Sequence, residues 1–173
     1  MQANPGKEHE WLHEMVGEWA TEMTCAMGPG QPPQTTPGRE RVRSLGGLWT
    51  LGEGRSEMPD GTPMTTLMTL GFDPAKGRFV GSFTASMMTH LWLYEGSLDE
   101  TGTVLTLETS GPSMTGDGTI VPYRDIMTIK SPDHRILTSS APGADGVWVA
   151  FMTAHHPHGV SRFLPLSNPG RTR

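Results

Sequence analysis

Short stretches of alternating hydrophobic and polar residues, separated by turns, run through most of the chain. Each stretch is rich in β-branched, aromatic or methionine side chains and ends near Gly, Pro or Asp. The candidate strands are 19–27, 39–45, 48–57, 64–72, 78–85, 88–98, 104–110, 123–130, 135–141 and 147–155. This spacing is typical of antiparallel sandwiches and barrels. No helix-length gap separates the strands, so neighbouring strands should pair antiparallel as hairpins. The simplest way to leave no exposed edge is to close the sheet, which predicts an all-β, up-and-down antiparallel barrel of about nine or ten strands.

The beginning of the chain has a different pattern. Residues 7–18 carry apolar side chains at helical spacing, which predicts a short N-terminal helix with Gly17 as its C-cap. The segment 28–38 reads GPGQPPQTTPG, and so many prolines and glycines predict a long loop, or flap, after the first strand.

Composition bounds the class of protein. The 173 residues suit one domain, which we place at residues 1–156, followed by a polar C-terminal tail at 157–173. The net charge is −5 and the basic residues are scattered, which argues against nucleic-acid and membrane partners. A lone cysteine, Cys25, permits no internal disulfide. Without a signal core or an apolar stretch of about 20 residues, a cytoplasmic location is expected.

Gly17-Glu18-Trp19, at the junction of helix and first strand, resembles the GxW signature of lipocalins and other calycins, in which the Trp plugs one end of the barrel. A wider pattern resembles an uncharacterised bacterial family catalogued as domain of unknown function fifteen seventy-nine. It consists of EHEWLHEMVGEW, RVRSLGGLWTLGEG, MTTLMTLGFDPAKGRFVGSF and MMTHLWLYEGSLD. The resemblance covers residues 8–155 and implies a calycin-like barrel, related in fold to nitrobindins. It implies no activity.

Strand alternation defines a candidate ligand-binding face in segment 88–95. Met88, His90, Trp92 and Tyr94 share one side, opposite the side that carries Leu91 and Leu93. If the first side faces the interior, the pocket has an aromatic wall with two polar groups, a composition typical of ligand sites. In the alternative arrangement Leu91 and Leu93 fill the core and His90 faces water.

The last strand and the remaining tryptophans extend this candidate site. Trp148, Met152 and His156 share one face of segment 147–156, so His155 must point to the opposite side. Trp49 is a further candidate for the pocket wall. In nitrobindins a histidine late in the chain ligates haem iron, and His155 or His156 occupies a comparable position; haem is therefore an alternative by analogy of fold alone.

Two further patterns concern metals. His9-Glu10-Trp11-Leu12-His13 matches the H-E-x-x-H zinc motif, but residues 23–39 supply no third ligand, and the helix is better explained as a cap on the barrel. Alternatively, His90 and His155 or His156 could converge with a carboxylate inside the barrel. Glu53, Glu57 and Glu95 are the candidates. Such a site would suit a zinc-dependent hydrolase of esters or phosphoesters.

The hypothesis preferred from sequence is a barrel that binds an apolar or aromatic small molecule. The 12 methionines support it, because flexible, polarizable side chains suit a pocket that adapts to its contents, although they also fill ordinary cores. The zinc hydrolase and the haem barrel are the alternatives. Tryptophans on the outer face would favour a homodimer.

Overall fold

The computed structural model describes residues 3–28, 30–58 and 60–158, and within them ten strands and one short helix form a closed barrel. The helix α1 is Lys7–His13. The strands are β1 Gly17–Cys25, β2 Gln34–Leu45, β3 Trp49–Glu57, β4 Pro63–Asp73, β5 Arg78–Ala85, β6 Trp92–Leu98, β7 Val104–Pro112, β8 Ile120–Ser131, β9 His134–Pro142 and β10 Trp148–Pro157. Sequence neighbours pair antiparallel, and β1 pairs with β10. The predicted up-and-down antiparallel barrel with an N-terminal helix is confirmed.

The helix closes one end of the barrel, which we call the closed end. Its inward residues Trp11 and Leu12 are buried, and Trp11 Nε1 donates a hydrogen bond to the carbonyl of Gly102 in the β6–β7 turn at 2.8 Å. Trp19 is also buried, and its Nε1 donates to the carbonyl of Met15 at 2.9 Å. Trp19 therefore occupies the plugging position that the GxW resemblance implied.

The helix is shorter than the sequence predicted. It ends at His13, and Gly17 is the first residue of β1 rather than a C-cap. Gly17 has φ 151°, and a Cβ at this position would lie 2.9 Å from Nε2 of His158. The positive φ, which other residues rarely adopt, therefore accounts for the glycine at the start of β1.

The proline-rich loop predicted at 28–38 is also shorter, because β2 begins at Gln34. Pro37 lies within β2 and pairs with Glu22 of β1, whereas the β2–β3 ladder begins only at Gly38. Pro37 thus has no partner residue on β3, so the N–H that proline lacks is not needed for a hydrogen bond to that strand.

Two irregularities change which side chains face the interior. Segment 88–98 was predicted as one strand, but β6 begins at Trp92, and residues 86–91 form the connection from β5. In β10, the register against β9 shifts between Ala150 and Met152, so that Phe151 is an extra residue. A bulge of this kind reverses the alternation of side chains before and after it.

The end of the barrel extends slightly beyond the predicted boundary at residue 156. β10 continues to Pro157, and His158 forms a bridge with Trp19. The rest of the predicted tail, residues 159–173, lies outside the described residues. Within the described part of the chain, no helix has the length and apolar character that crossing a membrane requires.

Candidate ligand-binding cavity

The interior of the barrel contains a cavity of about 320 Å³, and all ten strands contribute to its wall. Most of the lining side chains are methionines or aromatic residues. The methionines are Met23, Met64, Met68, Met87, Met88, Met127 and Met152. The aromatic residues are Phe83, Trp92, Tyr94, Tyr123 and Phe151. The methionine-rich composition is therefore concentrated around the cavity, where flexible thioethers can adapt to an occupant.

Glycines on neighbouring strands make room for larger side chains that face the interior. A Cβ on Gly111 would lie 2.4 Å from a Trp92 ring carbon, so the indole packs directly on the β7 backbone. A Cβ on Gly52 would lie 2.7 Å from Oε1 of Glu40. Because real Cβ atoms do not approach other atoms so closely, the rigid Trp92 ring requires a glycine at position 111, whereas the carboxylate end of the flexible Glu40 side chain could shift to admit a Cβ at position 52.

A buried charged cluster lies next to the plug at the closed end of the cavity. Arg135 donates a hydrogen bond from a terminal nitrogen to Oε2 of Glu40 at 2.5 Å, and its guanidinium stacks on the Trp19 ring at 4.6 Å. Nε2 of His156 lies 3.4 Å from the same carboxylate oxygen. Glu40 and His156 line the cavity, whereas Arg135 lies behind them. Because Arg135 pairs with Glu40, the buried carboxylate is compensated.

The imidazole of His156 is held in its neutral form. Burial lowers the pKa of His156 to about 3, and the positive charge of Arg135 acts in the same direction. At neutral pH the ring is therefore uncharged and carries a hydrogen on only one of its two nitrogens. Nδ1 is buried and has no hydrogen-bond partner within the described residues.

A second polar group lies on the cavity wall. The Tyr94 hydroxyl donates a hydrogen bond to Oδ2 of Asp125 at 2.6 Å. Burial raises the pKa of Asp125, while hydrogen bonds from Ser139 and Tyr94 oppose that effect. Burial, followed by the adjacent carboxylate, also raises the pKa of Tyr94, so the phenol stays protonated and acts as a donor.

Several residues that the sequence singled out for ligand binding line this cavity. They are Met88, Trp92, Tyr94, Met152 and His156. Trp92 and Tyr94 face inward because β6 alternates regularly. Met88 reaches the cavity from the β5–β6 connection instead of from a strand.

His90 is not among the lining residues, because the strand that was expected to carry it begins two residues later. Its Nε2 lies 3.2 Å from the carbonyl oxygen of Ser110, and its ring contacts the edge of Trp92, with centroids 4.8 Å apart. His90 thus supports Trp92 from outside the cavity. The predicted alternation of Met88, His90, Trp92 and Tyr94 along one strand does not hold.

Trp49 and Trp148 lie on the outside of the barrel. Trp49 is 38% exposed and packs over Gly71 of the neighbouring strand. Trp148 precedes the bulge at Phe151, so its side chain is turned outward, where the Arg124 guanidinium stacks on its ring at 4.2 Å. The predicted common face of Trp148 with Met152 and His156 is therefore interrupted by the bulge.

The histidines considered as metal ligands do not converge. His155 faces outward and stacks on His134, whereas His156 faces the interior, as alternation predicted. Among the described residues, no three His, Cys, Asp or Glu side chains form a group that could hold a metal ion. In the H-E-x-x-H segment, His9 is buried and its Nδ1 accepts the backbone N–H of Gly6, which fits a capping helix.

Sequence reasoning missed the most polar part of the site. Glu40, Arg135 and Asp125 were not candidates, because strand residues of these types are usually exposed. The signal available for Glu40 was its place opposite Trp19 in the hairpin of β1 and β2. No sequence pattern connects Glu40 with Arg135, which is 95 residues away.

Together, fold and site define a closed ten-stranded antiparallel β-barrel with an internal, methionine-rich cavity. The chain belongs to the family described as "Protein of unknown function (DUF1579)", whose model matches residues 4–157. No curated protein matches it significantly.

Among solved structures, the fold is similar to that of Rv2717c from M. tuberculosis. The two share 15% identity with a TM-score of 0.65, over 91% of this chain and 100% of that one. The S-type phycobiliprotein lyase CPES from Guillardia theta has 13% identity and a TM-score of 0.57, over 90% of this chain and 94% of that one. EF1p2_mFAP2b, solved bound to DFHBI, has 13% identity and a TM-score of 0.48, over 87% of this chain and 98% of that one. At these identities the likeness to Rv2717c and to the lyase, whose TM-scores exceed 0.5, shows the fold alone.

Proposed function

We propose that this protein binds a small, predominantly apolar or aromatic molecule inside the barrel. The observation that carries the proposal is the cavity of about 320 Å³ walled by seven methionines and five aromatic residues. Ligand pockets usually measure about 300–1,000 Å³ and combine an apolar wall with a few placed polar groups. The cavity has this composition, with Glu40, His156 and the Tyr94–Asp125 pair as its polar groups.

The open end of the barrel supports the same function. Exposed hydrophobic side chains lie in the connections β1–β2, β5–β6, β7–β8 and β9–β10, all at the end opposite the helix. They are Met27, Met87, Leu91, Met114 and Val147. An apolar rim allows an apolar ligand to leave water before it enters the cavity. The proposed route is therefore through this end.

The zinc-hydrolase and haem hypotheses receive less support from the geometry. His90 and His155 lie outside the cavity, so the proposed zinc ligands are not brought together. For haem, His156 is the late histidine that faces the interior, but its Nε2 is directed at the Glu40 carboxylate. The arrangement does not fit axial ligation through that nitrogen. Both hypotheses stay predictions, as do a homodimer and a cytoplasmic location.

The experiment compares binding of a neutral, apolar fluorescent probe, N-phenyl-1-naphthylamine, to the native protein and to two matched variants. Thr66 lines the cavity and Thr65, the preceding residue of β4, is exposed. Thr66→Phe fills the cavity, while Thr65→Phe adds the same ring to the outer surface. We expect Thr66→Phe to weaken probe binding about tenfold or more and Thr65→Phe to leave it unchanged, after circular dichroism has shown both to be folded.

Extraction of the purified protein for mass spectrometry, with elemental analysis for zinc and iron, completes the test. A co-purifying small apolar molecule, released by Thr66→Phe, would support the proposal. Equal probe affinity in all three proteins would contradict it, and stoichiometric zinc or iron would favour one of the metal hypotheses instead.

A further inference from the structure

Two sides of the cavity that face each other differ in their free hydroxyl groups. In a closed barrel of ten strands, each strand lies across from the strand five places around the ring, so β1–β4 face β6–β9. Hydroxyl side chains line the cavity on both sides. Those on β1–β4 are Thr21, Ser56 and Thr66, and those on β6–β9 are Tyr94, Thr109, Tyr123 and Ser139.

The hydroxyls on β6–β9 are already bonded or enclosed. Tyr94 donates to Asp125 at 2.6 Å, and Tyr123 donates to a backbone carbonyl at 2.7 Å. Ser139 forms a hydrogen bond with the Asp125 carboxyl group. Oγ1 of Thr109 is enclosed by the protein and does not open onto the cavity. These four hydroxyls therefore offer an occupant little hydrogen-bonding capacity.

The same side presents a row of aromatic rings, which β10 continues. The ring centroids of Trp92 and Tyr123 are 5.0 Å apart and those of Tyr123 and Phe151 are 6.0 Å apart, each pair packed edge to face. An aromatic occupant can extend this row, and the methionine sulfur atoms of the lining also make favourable contacts with aromatic rings. The ring body of an occupant is therefore expected on this side.

The hydroxyls on β1–β4 are free and lie near one another. None of them makes a hydrogen bond to another described residue, and none is an enclosed atom without a partner, so each opens onto the cavity. Thr21 pairs with Gly38, which pairs with Ser56, and Thr66 pairs with Gly54, on the same strand as Ser56. Because neighbouring strands are about 4.8 Å apart, each hydroxyl lies within about 10 Å of the next. A polar group of an occupant finds hydrogen bonds here that the facing hydroxyls do not provide.

The volume of the cavity bounds the size of the occupant. An apolar cavity of about 150 Å³ holds one benzene ring, so the present cavity of about 320 Å³ has room for about two or three rings. Arg39 and Arg55 also border the cavity, on β2 and β3, so neutral and anionic substituents are both compatible with the hydroxyl-bearing side.

We infer that the occupant is an aromatic molecule of about two or three rings whose polar substituents lie along one edge. That edge contacts the hydroxyls of Thr21, Ser56 and Thr66. The unsubstituted part of the ring system lies against Trp92, Tyr123 and the methionines. This inference rests on the proposed function and specifies the class of ligand and its orientation.

Two isomers test the inference. 2,3-Dihydroxynaphthalene carries both hydroxyls on one edge, whereas 2,6-dihydroxynaphthalene carries them at opposite ends of the same ring system. Their dissociation constants are measured by isothermal titration calorimetry with the native protein, with the double variant Thr21→Val, Thr66→Val and with Thr65→Val. Valine keeps the branched shape of threonine and removes the hydroxyl. Thr65 is the matched control, because it is the exposed residue next to Thr66 on β4.

We expect the native protein to bind the 2,3-isomer about three- to tenfold more tightly than the 2,6-isomer, which is the usual contribution of one neutral hydrogen bond. The double variant should bring this ratio near one, and Thr65→Val should keep it. The change in the ratio between the proteins isolates the effect of the wall from any difference between the isomers in water.

The outcomes separate this inference from the proposed function. A native ratio near one, a ratio that the double variant keeps, or binding of N-phenyl-1-naphthylamine without binding of either isomer overturns the inference, while loss of that probe in Thr66→Phe still supports the cavity as a binding site. If neither isomer binds and Thr66→Phe leaves probe binding unchanged, the proposed function fails as well.

If the double variant does not fold, nuclear Overhauser effects between the native protein and the 2,3-isomer decide. Contacts of the unsubstituted ring with methionine methyl groups, and of the hydroxyl-bearing ring with the methyl groups of Thr21 and Thr66, support the inference. The reverse orientation overturns it.

Discussion

The buried ion pair at the closed end provides a quantitative test of how burial changes the contribution of an ion pair to the free energy of unfolding. We consider Arg135→Met, which removes the guanidinium and keeps an unbranched stem that can still pack on Trp19. The side chain of Arg135 is 6% exposed and that of Glu40 is 16% exposed. The substitution therefore leaves a carboxylate inside the barrel without its positive partner.

The expected loss follows from this burial. Breaking a buried pair by removing one partner costs about 3–5 kcal/mol, because the remaining charge has lost its water and gains nothing in return. The stacking of Arg135 on Trp19 is part of this loss, since a desolvated cation–π contact contributes about 2 kcal/mol. We expect Arg135→Met to lower the free energy of unfolding by about 4 kcal/mol.

The chain contains a matched control on its outer face. Arg124 pairs with Glu108 at 3.2 Å and stacks on Trp148 at 4.2 Å, so it makes the same two kinds of contact. These side chains are 31% and 60% exposed. Exposed pairs contribute about 0.2–1 kcal/mol and exposed cation–π contacts about 0.5–1 kcal/mol. Arg124→Met should therefore cost about 1 kcal/mol.

The assay is urea unfolding at pH 7, followed by circular dichroism, for the native protein and both variants. With a slope of about 2 kcal/mol per molar urea, Arg135→Met should shift the midpoint by about 2 M and Arg124→Met by about 0.5 M. The double variant Arg135→Met with Glu40→Leu should recover much of the loss, because no unpaired charge remains. Equal shifts for the two single variants, or no recovery in the double variant, would refute the reasoning.

Two further predictions concern the other buried polar groups. The folded chain keeps His156 neutral down to about pH 3, whereas the unfolded chain binds a proton at the ordinary pKa of 6.5. Between these two pKa values the unfolded chain binds more protons, so the free energy of unfolding should fall as the pH is lowered. The expected loss is at most about 1.4 kcal/mol per pH unit. His156→Leu should remove this contribution and His155→Leu should keep it, as measured by urea unfolding between pH 7 and pH 4; identical slopes in all three proteins would contradict the assignment. Tyr94→Phe should destabilise the protein by about 1–3 kcal/mol, because Asp125 loses a buried donor. The hydroxyl of Tyr123 donates instead to the carbonyl of Pro112, which is an exposed residue. Tyr123→Phe should therefore cost about 1 kcal/mol or less in the same assay. If Tyr123→Phe lost more stability than Tyr94→Phe, the buried carboxylate of Asp125 would not be the cause of the loss in Tyr94→Phe.

The fold could be predicted from sequence because its main features are local. Period-two alternation and the turn residues between strands recur along the chain. A series of hairpins without helical crossovers leaves two edge strands unpaired, and closure into a barrel is the simplest way to pair them. The same local rule oriented Trp92, Tyr94 and Met152 toward the interior and separated His155 from His156. It failed wherever the strand was not regular.

Two failures show this limit in physical terms. Trp148 was assigned to the interior by counting back from Met152, but the extra residue at Phe151 reverses the alternation, and a bulge has no reliable sequence signal. His90 was assigned to a strand that begins only at Trp92, so its ring ends outside the cavity wall. One extra residue moved Trp148 to the opposite face, and the later start of β6 removed His90 from the strand altogether.

The sequence by itself determined the class of fold, which is an antiparallel barrel with a short N-terminal helix. The tertiary structure alone decided the polar chemistry of the cavity. Glu40, Trp19, His156 and Arg135 come from β2, β1, β10 and β9, which are consecutive in the barrel but are the first and last strands of the chain. They meet because β1 pairs with β10 when the barrel closes, and the register of that closure depends on the packing of the whole interior instead of on any local pattern.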